Sequence, residues 1–77
     1  MFSFTVTRVS TGHTITVVAK HRGIAGLIAP RRLGIDGVTG HRSNADESIV
    51  HLMRFDRALM LSVDIGETLT IHPVSVV

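Results

Sequence analysis

Five histidines, His13, His21, His41, His51 and His72, are the first groups to weigh for chemistry in this 77-residue chain. A metal site on one element needs ligands at a spacing such as i, i+4 on a helix, and no two of these residues have it. His13 stands between a turn glycine and a strand-like run, the place for an exposed general base or phosphoryl acceptor, or for an ordinary solvent-facing side chain. Serines and threonines are plentiful, yet no GxSxG elbow, no Walker-type phosphate loop and no GxGxxG follows a strand. Asp46 and Glu47 are adjacent and belong to helix capping rather than to an acid–base pair. The absence of cysteine excludes disulfides, thiolate zinc sites and a thiol nucleophile. The chain is therefore expected not to be an enzyme, with no catalytic residue, no metal and no cofactor.

Charge is the stronger signal. Residues 1–42 carry six basic side chains against Asp36, a balance of +5, and residues 43–77 carry two against five acidic ones, a balance of −3. Seven of the eight basic residues are arginine, whose planar fork suits phosphate and base edges. The candidate anion-binding residues are Lys20, Arg22, Arg31, Arg32 and Arg42, all in expected turns or loops, where each phosphate contact adds salt-dependent affinity. The same asymmetry also suits an acidic protein surface or head-to-tail self-association. With no Trp or Tyr, and with Phe2, Phe4 and Phe55 assigned to the core, stacking falls to Arg or His.

The elements that must position these groups follow from periodicity. Phe2, Phe4 and Val6 alternate with Ser3, Thr5 and Thr7, the pattern of a half-buried strand. Ser10-Thr11-Gly12 turns the chain, and His13–Ala19 resumes strand character, which makes a hairpin. Lys20–Gly23 is a second turn. Ile24–Ala29, short, glycine-containing and closed by Pro30, is expected to be a third strand or edge segment rather than a helix. Residues 31–44 hold three glycines and are expected to form a loop, with a short strand near 33–35 or 38–39.

Asn44 and Glu47 have N-cap and N3 spacing, and Ile49, Leu52, Phe55, Leu59 and Val63 share one helical face, so residues 44–63 are expected to form the helix. Asp56 falls inside that apolar arc and is the candidate interface residue. Glu67–His72 alternates as a final strand, limited by Pro73 and extended by residues 74–77. Gly12–Val17 and Gly66–Ile71 echo one another, each a turn glycine followed by an alternating strand.

Two stretches resemble the opening hairpin of the carbon storage regulator family of small dimeric RNA-binding translational regulators. One runs from Met1 to Thr5 and on to Val9, with Gly12–Ile15; the other is Leu59–Ser62 with Ile65–Leu69. Ala29-Pro30-Arg31 and His41-Arg42 resemble that family's Ala-Pro-Lys and His-Arg elements. The resemblance implies that Arg42 contacts RNA and that Thr5 lies on the RNA-contacting first strand. A lesser likeness to the histidine phosphocarrier family rests on Gly12-His13 and on Asn44-Ala45 with Ser48-Ile49, and implies a phosphorylated His13.

The expectation is one α+β domain over residues 1–77, an antiparallel or mixed sheet of about four strands with one amphipathic helix on one face. A hydrophobic content of 44% argues against disorder. No apolar run approaches the roughly 20 residues of a membrane helix, and residues 1–20 lack the layout of a signal peptide, so a cytoplasmic location is expected. The function expected is a small homodimeric regulatory protein binding RNA, or DNA, through Arg-rich loops. The alternative is an inhibitor or adaptor that binds protein through an open sheet face or edge strand.

Overall fold

The computed structural model describes all 77 residues. Strands β1 (Phe2–Arg8) and β2 (Thr14–Ala19) form the expected hairpin, followed by helix α1 (Arg22–Arg32) and strands β3 (Gly40–Ser43), β4 (Ile49–Asp56) and β5 (Leu61–Val76). The five strands make one antiparallel sheet in the order β2-β1-β5-β4-β3. The class is α+β, as expected, with five strands rather than about four.

Helix and strand exchange places relative to the periodicity. Residues 22–32 are helical despite Gly23, Gly26 and Pro30. Propensity opposes this, and packing overrides it. Gly23, Ala25, Gly26, Ala29 and Pro30 are all buried, so the small side chains let the helix axis lie close over the sheet. A Cβ on Gly26 would stand 3.4 Å from Ile71 and 3.6 Å from Val50.

The segment expected to be the helix is instead the hairpin of β4 and β5. Its apolar residues satisfy both periods, and the strand period wins because Val50 and Leu52 are fully buried against the core while Ile49 faces out. The apparent N-cap residues serve a turn. Asn44 Oδ1 accepts from the Ile49 N–H at 3.0 Å, and Asp46 Oδ1 accepts from the Ser48 N–H at 3.1 Å and hydroxyl at 2.6 Å. Asp56 likewise accepts the Leu59 N–H at 3.1 Å in the β4–β5 turn. With no helix there, the apolar arc that marked Asp56 as an interface residue does not exist.

The core lies between α1 and one sheet face: Phe4 and Val6 of β1, Val17 and Ala19 of β2, Val50 and Leu52 of β4, Leu69 and Ile71 of β5, with Ala25, Ala29, Leu33 and Ile35 above. Burying each large aliphatic side chain contributes about 1.5–3 kcal/mol. The sequence echo is spatial too, since β2 and the end of β5 flank β1 and place Ile15, Val17, Leu69 and Ile71 on the core face. The other face is left open and is rich in hydroxyls. Thr7 faces Thr14 and Thr70, and Thr5 faces Thr16 and His72. Arg8 pairs with Glu67, and Ser10 donates to the same carboxylate at 2.7 Å, tying the β1–β2 turn to β5.

Between Met53 and Leu69 the β4–β5 hairpin runs on past its neighbours, because β3 pairs only with Val50–Met53 and β1 only with Leu69–Val76. This arm lengthens the molecule to 42 × 23 × 18 Å. Its end exposes Phe55, Leu59, Met60 and Leu61. No helix is long and apolar enough to cross a membrane.

Candidate anion-binding site

The five basic residues singled out from the sequence do not converge on one surface. Lys20 and Arg22 stand where β2 passes into α1, and Arg31 and Arg32 end the same 11-residue helix, about 14–15 Å further along its axis. Arg42 lies on the far side of the sheet. Its neighbour His41 points at the helix, with Nε2 3.5 Å from the position of a Cβ on Gly26. Successive strand residues alternate faces, so Arg42 points the other way. There it pairs across the strands with His51 and is mostly exposed, 4.0 Å from Asp64.

Two pockets flank the helix ends. The larger, about 420 Å³, lies beside Leu27, Pro30 and Arg31 and the loop from Ile35 to Gly40. Asp36 shares it with Arg31, so one acidic group offsets one cation, and it holds no aromatic ring. The smaller, about 240 Å³, is lined by Phe2, Phe4, Lys20, His21, Arg22 and Pro73. It combines two cations and a histidine with aromatic surface, which is the better chemistry for an anionic, ring-bearing ligand.

Each wall of this second pocket has a local cause. Phe2 belongs to the inward-facing set of β1, but it lies at the strand end and remains 41% exposed. Its ring meets that of Phe4 at 6.1 Å and 53°. Phe55 is exposed as well, so two of the three phenylalanines assigned to the core are surface residues. The signal was the position of Phe2 at the end of an alternating run, where core cover is thinnest. Pro73 enters through the β1–β5 register shift between Ser3 and Phe4.

His21 is the N-cap of α1, without a side-chain capping bond, and the first turn of the helix contains no acidic residue. Arg22 reaches across to the β3–β4 loop, donating to the Asp46 carbonyl at 3.0 Å. Asp46 titrates below its ordinary value of 3.8, chiefly through its bonds from Ser48, with the Arg22 charge adding to the effect. Arg22 is thus partly engaged, whereas Lys20 is exposed. No three His, Asp or Glu side chains gather in a metal-binding arrangement.

The fold and site together describe a small α+β domain with an open hydroxyl-rich sheet face and a cationic, aromatic pocket at one helix end. No family model, curated protein or solved structure matches the chain.

Proposed function

We propose that the protein binds nucleic acid, RNA first and DNA second, at the pocket between β2 and α1. The observation that carries this reading is the meeting of Lys20, His21 and Arg22 with the exposed ring of Phe2. A base stacks on Phe2 while the cations take the flanking phosphates, the combination that single-strand binders use. Arg31 and Arg32, at the other end of the helix, and Arg42, on the opposite sheet face, stand apart from the pocket. The test is fluorescence anisotropy with a labelled single-stranded RNA and its DNA counterpart, between about 50 and 500 mM salt. Binding that weakens steeply with salt supports the reading, and no binding at the low-salt end overturns it.

The second reading is a protein-binding adaptor, favoured by the apolar end of the β4–β5 arm, where Leu59 and Met60 stand exposed in the turn and exposed Phe55 and Leu61 flank it on opposite faces. Recovery of one stoichiometric protein partner that survives nuclease, and is lost with Leu59→Glu, would support it.

A further inference from the structure

The two edges of the sheet are managed differently. β3 has four residues and carries Arg42, features that discourage pairing with another chain. β2 is longer, and its sequence Thr14-Ile15-Thr16-Val17-Val18-Ala19 contains no charge, no proline and no register shift against β1. Five of its six residues are β-branched. An edge of this kind is a template for another strand.

Its hydrogen-bonding pattern can be read from the register. The Arg8 N–H donates to the His13 carbonyl at 2.8 Å. Antiparallel pairs alternate, so Ile15, Val17 and Ala19 exchange their bonds with β1. The N–H and C=O groups of Thr14, Thr16 and Val18 therefore point outward, where no strand of this chain meets them.

We infer that β2 pairs antiparallel with β2 of a second copy, about a two-fold axis through Thr16. The outward groups are symmetric about that residue. Thr16 meets Thr16 of the other copy, and Thr14 meets Val18, so every outward group in this stretch finds a partner. Side chains match as well, since β-branched pairs face one another on both sheet faces. Lys20 falls opposite Gly12 rather than opposite its own counterpart, so no like charges meet. The product is a ten-stranded sheet with both α1 helices on one face. It sets the two Lys20 residues about 27 Å apart along the strands. This pairing is independent of whether nucleic acid binds.

Light scattering of the purified protein should give twice the 8.3 kDa chain mass. Thr16→Pro removes an N–H that β1 does not use, and Thr16→Lys sets two like charges face to face. Each should return the mass to that of one chain with an unchanged circular dichroism spectrum. Because the chain lacks cysteine, Thr16→Cys is a clean probe. Hydrogen-bonded antiparallel partners have Cα atoms about 5.5 Å apart, within reach of a short bifunctional thiol cross-linker. Such a reagent should therefore link Thr16→Cys chains in pairs and leave Val63→Cys chains single. A monomeric wild type, a dimer that persists in a folded Thr16 variant, or a dimer whose Thr16→Cys form does not cross-link would each overturn the inference.

Discussion

The carboxylate of Glu47 occupies the space that a side chain on Gly23 would fill: a Cβ there would stand 2.5 Å from Glu47 Oε2. The β3–β4 loop is thereby seated on the first turn of α1, where the helix dipole favours negative charge. Arg22 holds the same loop through the Asp46 carbonyl. This internal carboxylate also lies beside His21, whose Cε1 is 3.2 Å from the same Cβ position. It therefore competes with any external anion at the pocket. Glu47→Gln should tighten RNA binding by up to about fivefold, the effect of relieving roughly 1 kcal/mol of repulsion. Anisotropy titration of the variant beside the wild type measures this.

The pocket residues should separate by role in the same assay. Phe2→Ala should weaken binding by about 1–3 kcal/mol, roughly 5- to 150-fold, through lost stacking. Lys20→Ala should reduce the salt slope by about one phosphate contact. Arg42→Ala, on the opposite sheet face, should leave affinity unchanged. Equal losses from all three would show that the pocket is not the site.

Gly26 and its neighbours predict a pair of opposite stability effects. A Cβ at Gly26 meets Ile71, His41 and Val50 only at ordinary contact distances, the nearest 3.4 Å. Gly26→Ala should therefore stabilise by about 0.5–1 kcal/mol through reduced chain entropy. Gly26→Leu has no room over Ile71 and Val50 and should destabilise by about 1–3 kcal/mol. Urea unfolding followed by circular dichroism measures both.

Acid should loosen the β1–β2 turn. Glu67 titrates below its ordinary value of 4.5 because Arg8 and then Ser10 bond its carboxylate. A depressed folded value means that its stabilisation is full above about pH 4.5 and is lost as pH falls through the lower folded value. Asp46 acts in the same direction. The wild type should lose stability below that pH, and Glu67→Gln should show a shallower loss, measured as unfolding midpoints in buffers from about pH 7 to 3.

Met60 is held at φ +53° in the β4–β5 turn and is 74% exposed. Asparagine tolerates this left-handed conformation better. Met60→Asn should raise stability by up to about 1 kcal/mol, with no packing lost, as read by thermal unfolding.

The amino-acid order by itself determined the β1–β2 hairpin, the strand character of residues 67–72 and, of the apolar set Phe2, Phe4 and Val6, the burial of Phe4 and Val6. These follow from period-two alternation between turn glycines, which is local information. Tertiary structure decided the rest. Residues 49–63 satisfy a helical and a strand period alike, and the Asn44–Ser48 side chains bond backbone N–H groups equally well at a helix start or in a turn. The choice fell to the sheet, where β4 and β5 bury Val50 and Leu52 beside Leu69 and Ile71. Residues 22–32 are a poor helix in isolation, and small size, their weakness in propensity, is what lets them lie close on that sheet. The candidate site followed the same division. Lys20 and Arg22 were legible as a basic cluster, but their company with Phe2 and Pro73, and the removal of Arg42 to the other face, depend on strand order and register. Those are set by contacts between residues far apart in the chain, which no local pattern encodes.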